Sequence, residues 1–237
     1  YLRDFGPAEA DVYRVDTTTG ERTLMFKKQM VGPAALGISP NGRHFLFWKD
    51  GKIQAYDLEN GATRVLGGST APNFTDMEFD RPGPKPSYGV AGYTPDGAAV
   101  IAQHRYDLWV VPLDGTTARN LTNGYGTKNE VRLRVVRPVP LDPLATFGPG
   151  GAAAQRQMID LSKPVTLSAY GEWTKKAGFF ELSGGALKEI VFEDAAFSTP
   201  TRAAKAETYL FTRQTFVEYP DLRVSGPDFK ASKKITD

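Results

Sequence analysis

The chain contains no cysteine. Disulfide bonds and cysteine-ligated zinc are therefore excluded, whereas the compartment stays open, since exported proteins can also lack cysteine. Histidine is nearly as scarce, and the two residues present are His44 and His104. Any catalytic mechanism that needs a histidine base has only these two side chains to draw on.

Long apolar runs and strong charge are missing as well. No run approaches the roughly 18 apolar residues that a membrane-spanning helix needs, and Tyr1–Phe5 lacks the pattern of a signal peptide. The formal net charge is +2, and lysine and arginine alternate with acidic residues without forming a basic stripe. We therefore expect neither a membrane span nor a nucleic-acid partner.

A repeated segment is the strongest positive signal. Ile38–Gly42 reads ISPNG and Tyr93–Gly97 reads YTPDG, and each precedes an apolar strand, a polar turn and further short strands. A four-stranded unit repeated every 40 to 60 residues or so is typical of a β-propeller. The sequence therefore predicts an all-β fold of antiparallel, four-stranded propeller blades.

Turn chemistry divides the chain into strands. Asn-Gly and Asp-Gly pairs between alternating apolar runs indicate hairpins, because these residues tolerate positive φ angles. Such pairs include Asn41-Gly42, Asp50-Gly51, Asn60-Gly61, Asp96-Gly97 and Asp114-Gly115.

The strands group into about four blades plus a half. We predict a half blade at 11–27 and blades at about 35–67, 88–124, 131–193 and 195–237, and we interpret 1–237 as one propeller domain or part of a larger one. Two stretches rich in proline and glycine interrupt the pattern, at 67–87 and 142–163. The second holds the only predicted helix, a turn or two at Ala152–Met158.

Two tracts carry a resemblance to a known family. Leu121–Asn129 reads LTNGYGTKN and Leu167–Phe180 reads LSAYGEWTKKAGFF. Together with the blade pattern, which is similar to TolB-type and WD40-like repeats, they resemble the propellers of bacterial S9 serine peptidases (prolyl oligopeptidase and dipeptidyl peptidase-like). The resemblance covers nearly the whole chain, from about Asp11 to Asp237.

The resemblance implies that two domains have separate roles in the whole protein. In such peptidases the propeller precedes an α/β-hydrolase domain and restricts access to short or unfolded peptides, and the protein is periplasmic or secreted. The hydrolase domain needs a Gly-x-Ser-x-Gly motif followed by Asp and His, and this chain contains no such motif. We therefore expect no catalytic, cofactor-binding or metal-binding residue here, and the expected partners are the hydrolase domain and a peptide substrate.

Two other functions stay open. The chain could be a TolB-like module for protein–protein contact, or a metal-dependent propeller hydrolase. A metal site would draw on hairpin carboxylates such as Asp50, Asp107 and Asp221, for which turn formation is the better interpretation. A glycosidase pair would draw on Glu78, Asp80, Glu172 and Glu218, which no linear spacing brings together. The aromatic residues Trp48, Tyr56, Trp109 and Phe180 alternate along strands and indicate core.

The lone half blade predicts open strand edges. Such edges and the apolar faces beside them favour association with another chain. We therefore expect self-association through the half blade and the last blade, or their coverage by further blades of a longer protein.

The missing serine motif predicts that the isolated chain is inert. Incubated with a fluorophosphonate probe for activated serines, it should remain unlabelled and should not cleave chromogenic peptides. A trypsin-like protease serves as the positive control. Labelling of any serine, located by mass spectrometry, would contradict this expectation.

Overall fold

The computed structural model describes residues 9–30, 35–69, 71–137 and 158–236. The regular structure consists almost entirely of antiparallel strands in five sheets. The predicted fold class, all-β with four-stranded propeller blades, is confirmed. The chain divides into two compact units, one comprising Tyr1–Arg105 and Trp109–Arg119, the other Tyr106–Leu108 and Asn120–Asp237. The prediction of a single domain stays a prediction.

The first three sheets follow the chain in simple order. The half blade is a hairpin, and the next two sheets have four strands each. Their strands are β1 Glu9–Val15, β2 Arg22–Met30, β3 Ala35–Ile38, β4 His44–Lys49, β5 Lys52–Asp57, β6 Thr63–Val65, β7 Val90–Tyr93, β8 Ala99–Gln103, β9 Leu108–Pro112 and β10 Arg119–Asn120.

The last two sheets follow a short helix. The fourth sheet is a regular meander, and in the fifth the first strand is broken into two short pieces that both pair with β17. The elements are α1 Tyr125–Asn129, β11 Val131–Val135, β12 Val165–Gly171, β13 Ala177–Ser183, β14 Ala186–Glu193, β15 Ala196–Phe197, β16 Thr201–Arg202, β17 Tyr209–Gln214, β18 Asp221–Ser225 and β19 Lys233–Lys234.

The sequence did not predict the helix that the structure describes. The helix of the described chain is α1, which begins just after a left-handed glycine, Gly124, and the predicted helical residues 152–157 lie outside the described residues. Nothing in the periodicity of a five-residue helix distinguishes it from a turn. No helix in the described residues has the length and apolar character needed to span a membrane.

The repeated segment works through the same hydrogen bonds in both copies. In the first, the Ser39 hydroxyl bonds Asn41 Oδ1 at 2.7 Å and accepts the backbone N–H of His44 at 2.9 Å. In the second, the Thr94 hydroxyl bonds Asp96 Oδ1 at 2.5 Å and accepts the N–H of Ala99 at 3.1 Å. The hydroxyl residue and the Asn or Asp two positions later thus fix how the chain enters the second strand of each blade.

Each unit has its own core. In the first unit, strands β4, β5, β8 and β9 bury a continuous apolar cluster that includes Leu46, Trp48 and Val100. In the second, aromatic rings dominate: Phe179 of β13 lies 5.5 Å from Phe197 of β15 and 4.6 Å from Phe229, measured between ring centroids. Of the four predicted core aromatics, Trp48, Tyr56 and Phe180 are buried, and Trp109 is partly buried against the first cluster.

The most deeply buried carboxylate of the described residues is Asp107, which is 1% exposed. Its Oδ1 accepts the Thr122 hydroxyl at 2.6 Å and the Gly126 N–H at 2.9 Å, and its Oδ2 accepts the Thr127 N–H at 3.0 Å and hydroxyl at 2.5 Å. The interpretation of Asp107 as a local hairpin residue was therefore wrong. It binds backbone amides, but those of the first turn of α1, 19 and 20 residues further along the chain.

Removing this carboxylate should destabilise the fold. We expect Asp107→Ala to lower the free energy of unfolding by about 3 kcal/mol or more, because two hydroxyls and two amides lose their acceptor in a buried site. The matched control is Asp80→Ala, an exposed carboxylate, which should change stability by less than about 0.5 kcal/mol. Urea unfolding followed by circular dichroism measures both, and equal midpoints for the two variants would contradict the structural role of Asp107.

Candidate functional site

Within the described residues, His44 lies beside a carboxylate and His104 lies beside an aromatic ring. His44 is the first residue of β4, and its Nε2 lies 4.0 Å from Asp57 Oδ2, a carboxylate that also binds Arg43 at 3.2 Å. His104 follows β8 directly, and its ring meets the ring of Tyr88 edge to face at 6.4 Å. The backbone N–H of His44 donates to the hydroxyl of Ser39, and this hydroxyl takes part in the hydrogen bonds of the repeated turn.

Burial of the imidazole lowers the pKa of His44, and the Arg43 and Arg64 guanidiniums lower it further, against the opposing effect of the Asp57 carboxylate. Burial acts to raise the pKa of Asp57, but hydrogen bonds from the backbone N–H groups of Glu59 and Asn60 and from Arg43 outweigh it, so that this pKa is lowered. The pair is therefore a neutral imidazole beside an ionised carboxylate near neutral pH.

The three hairpin carboxylates considered for a metal site occupy separate places. Asp50 takes a positive φ of 52° in the two-residue turn between β4 and β5. Asp107 caps α1. Asp221 forms an ion pair with Lys234 at 2.9 Å, which is the main cause of its lowered pKa. Within the part of the chain that the structure describes, no group of three or more His, Cys, Asp or Glu side chains could hold a metal ion.

Three of the four carboxylates considered for acid–base catalysis are paired with arginines. Glu78 Oε1 lies 2.6 Å from Arg105 Nη2, and Glu172 Oε2 lies 3.4 Å from Arg132 Nη2. Glu218 forms an ion pair with Arg213, and Asp80 is exposed. The pairings of Glu78, Glu172 and Glu218 are those of structural salt bridges.

A different feature stands out in the second unit: large apolar side chains at the tip of the loop between β17 and β18. The exposed fractions are 105% for Phe216, 90% for Val217 and 84% for Tyr219. The loop is closed by its own hydrogen bonds, since the Thr215 N–H donates to the Glu218 carbonyl at 3.2 Å and the Thr215 hydroxyl accepts the Glu218 N–H at 3.0 Å. The fold thus holds these side chains outward.

A second exposed aromatic lies in the turn between β12 and β13, where Trp173 is 75% exposed. Pairing of Ala177 with Glu193 places the end of β14 beside this turn, and Arg213 stands at the end of β17 beside the other loop. Arg213 Nε bonds Glu193 Oε1 at 2.6 Å. The two turns therefore share one end of neighbouring sheets. We call Trp173, Phe216, Val217 and Tyr219 the aromatic edge.

Sequence reasoning missed the aromatic edge. The alternating pattern of strands assigns apolar residues to the core, and between Thr212 and Leu222 the sequence marks only the carboxylates of Glu218 and Asp221 as candidate site residues. The available signal was compositional: Phe216, Val217 and Tyr219 lie between two predicted strands in a segment with no glycine or asparagine to mark an ordinary solvent-exposed turn.

Beside the aromatic edge lies a charged cavity of about 550 Å³. The acidic and basic side chains that line it are equal in number. They are Glu189, Glu193, Arg213, Glu218, Arg223 and Lys230. Arg213 holds Glu193 and Glu218 at once, so that it ties the loop of the aromatic edge to the end of β14.

The lowered pKa of His44 predicts a pH dependence of stability. Because the unfolded chain binds a proton at the ordinary histidine pKa of about 6.5 and the folded chain binds it only at lower pH, stability falls as the pH drops from about 6.5 towards the folded pKa. His44→Gln should flatten the curve in this window and leave it unchanged above pH 7.5 or so. Urea unfolding at intervals from pH 5 to 8 measures it, and parallel curves would contradict the assignment.

Comparisons with known proteins identify no family. No protein-family model and no curated protein matches the chain. Among solved structures, a protein assigned as TolB from Agrobacterium tumefaciens is 14% identical, with a TM-score of 0.42, and the match covers 94% of this chain and 68% of that one. TolB from Acinetobacter baumannii is 11% identical, with a TM-score of 0.42, covering 94% of this chain and 48% of that one. These proteins are similar to the chain at a level that carries no functional conclusion.

Proposed function

We propose that this chain is the non-catalytic propeller portion of an S9-type serine peptidase, and that its aromatic edge docks a separate α/β-hydrolase domain. The observation that carries the proposal is the exposure of four large apolar side chains at one end of the second unit. Burying a side chain of this size stabilises a complex by roughly 1.5–3 kcal/mol, and aromatic residues dominate the energetics of protein interfaces.

The construction of the edge suits docking. An interface gains affinity when its contact residues are already held in place, because less conformational entropy is lost on binding. The turn hydrogen bonds at Thr215 and the ion pairs of Arg213 with Glu193 and Glu218 supply this rigidity. The charged groups around the apolar tips then form the polar rim that specific interfaces have.

The two tracts that resemble S9 peptidases support the same assignment. Leu121–Asn129 contains all of α1 and is the segment that Asp107 holds. Leu167–Phe180 forms most of the β12–β13 hairpin, whose tip carries Trp173 of the aromatic edge. One of the resembling tracts thus supplies part of the proposed docking surface.

In this function the propeller gates access to a hydrolase that it does not contain. The substrate would be a short or unfolded peptide, and the parent protein would act in the periplasm or outside the cell. A second candidate, a TolB-like module that contacts another protein, is favoured by the same aromatic edge and differs in the identity of the partner.

The test removes the aromatic edge. We expect the triple variant F216S/V217S/Y219S to melt within about 2 °C of the parent chain, since fully exposed side chains contribute little to folding. Its affinity for the separately produced hydrolase domain should fall by at least about tenfold, measured by isothermal titration calorimetry. The matched control is Y13S/V15S/L24S, which removes three exposed apolar side chains from the half blade.

Each outcome bears on a different part of the proposal. A triple variant that binds the hydrolase domain as tightly as the parent would exclude the aromatic edge as the docking surface. A parent chain that binds no hydrolase domain, but binds another protein through the same three residues, would favour the interaction module.

A further inference from the structure

The hairpin of the half blade contains the same turn as the outer hairpin of the next sheet. The Asp16 Oδ1 atom accepts the backbone N–H groups two and three residues further along, at 2.7 and 3.1 Å, and Asp57 Oδ1 does the same at 2.9 and 3.2 Å. The Gly20 N–H donates to the Asp16 carbonyl at 2.8 Å, and the Gly61 N–H donates to the Asp57 carbonyl at 2.9 Å. The hairpin of β1 and β2 therefore corresponds to that of β5 and β6, with Asp16 in the place of Asp57.

The corresponding strands β1 and β5 differ in their neighbours. β5 pairs with β4 on one side and with β6 on the other, whereas β1 pairs only with β2 among the described residues. Counted back from the two aspartates, Val15 corresponds to Tyr56 and Tyr13 corresponds to Gln54. In β5 these two positions pair with phenylalanines of β4. In the described part of the chain, the half blade thus lacks the strand that β4 provides in the next sheet.

The free edge of β1 presents backbone groups to such a strand. In an antiparallel sheet, successive residues of a strand bond alternately to the neighbour on one side and to the neighbour on the other. The Asp16 N–H donates to the Glu21 carbonyl at 2.9 Å, on the β2 side of the hairpin. Because the register is regular from Tyr13 to Val15, the N–H and C=O groups of these two residues point away from β2. Each of the two residues offers one donor and one acceptor.

Side-chain exposure shows the same difference between the two strands. Tyr56 is 8% exposed, because it lies opposite Phe45 of β4 and its ring meets the ring of Phe26 at 5.1 Å. Val15 and Tyr13 are 48% and 47% exposed. The apolar side chains at the free edge of β1 therefore lack the cover that the corresponding part of β5 has.

The charge at the turn is also left without its counterpart. Asp57 forms an ion pair at 3.2 Å with Arg43, the residue that precedes β4. Asp16 forms no such pair among the described residues, and hydrogen bonds from the turn N–H groups are the main cause of its lowered pKa. The Arg14 guanidinium also lowers this pKa, but it donates to the Leu58 carbonyl. Asp16 is thus an ionised carboxylate at the place where a strand like β4 would bring a basic residue.

We propose that β1 accepts one further antiparallel strand with the residue pattern of β4, supplied by a further blade of the parent protein. Its apolar side chains lie opposite Val15 and Tyr13, and a basic residue in the position of Arg43 pairs with Asp16. In strand addition, main-chain hydrogen bonds supply affinity and alternate side chains supply specificity. The added strand extends the hairpin towards a four-stranded blade and covers an edge that would otherwise favour aggregation.

The probe is a synthetic peptide with the sequence of residues 43–49, which contains β4, labelled with fluorescein at its C-terminus. Its binding to the chain is followed by fluorescence anisotropy. The test does not depend on the hydrolase domain, because it uses this chain and the peptide alone. Binding of the unmodified peptide sets the reference for all other arms.

Two N-methylated peptides test the hydrogen bonds of the added strand. The Leu58 N–H donates to the Arg43 carbonyl, so that in the register of β4 the Phe47 N–H points to the paired strand and the Leu46 N–H points away. N-methylation at Phe47 should weaken binding about tenfold, because a ladder bond is lost and the Tyr13 carbonyl stays unpaired. N-methylation at Leu46 is the matched control and should change the affinity less than about twofold.

Charge variants test the pairing with Asp16. Asp16→Asn keeps a side-chain acceptor for the turn and removes the charge, and it should weaken binding about threefold. A peptide with glutamate in the position of Arg43 should bind the parent chain more weakly still, and this loss should shrink on the Asp16→Asn chain. Asp80→Asn, in the loop between β6 and β7, is the control for net charge and should have no effect. Thermal unfolding confirms that each variant keeps the fold.

Hydrogen exchange and sedimentation complete the test. Slower exchange of the Tyr13 and Val15 amides when the peptide is added supports the proposal, whereas equal effects of the two N-methyl groups would overturn it. Amides of Tyr13 and Val15 that exchange as slowly as that of Arg14 in the chain without peptide would show that the edge is already paired. A dimer at micromolar concentration that Val15→Asp dissociates would assign the edge to a second copy and equally overturn the proposal.

Discussion

The buried carboxylate of Asp107 holds α1, the helix that leads into the sheets of the second unit. It holds the first turn of α1, and the left-handed residue that ends this helix, Glu130, leads directly into β11. The Glu130 carbonyl then accepts the N–H of Glu172 at 2.9 Å. The turn that carries Trp173 is thereby tied to the same helix. A close fit at Gly126 completes this arrangement, because an added Cβ there would lie 2.8 Å from two backbone oxygens.

Beyond α1, an aromatic cluster and one arginine connect the sheets of the second unit. Phe179, Phe197, Phe211 and Phe229 join the fourth and fifth sheets through their rings, which lie between 4.6 and 6.5 Å apart. Arg213 of the fifth sheet joins the same sheets at one end through Glu193, and it also binds Glu218 in the loop that follows its own strand. The aromatic edge is a consequence of this joining, since it lies at the end that Arg213 closes.

What the sequence predicted well was local. The turn at Asp50-Gly51 follows from the φ angles of two adjacent residues, and the repeated segments follow from a hydroxyl and a carboxylate or amide two positions apart. The role of Asp107 could not be predicted in this way, because its partners stand 15 to 20 residues away and its own position suggests a hairpin. The aromatic edge was not predicted for a different reason. Phe216 and Tyr219 are residues of the core type, and only the three-dimensional course of the loop places them in solvent.

The most direct test of the proposed function is to read the coding sequence that follows the codon for Asp237. A peptidase with this propeller requires a downstream Gly-x-Ser-x-Gly, with an aspartate and then a histidine after it, in an alternating pattern of strands and helices. We predict that the reading frame continues into this motif. A frame that ends without it, or continues into a domain of another kind, would contradict the assignment to a serine peptidase and leave the protein-interaction module as the function.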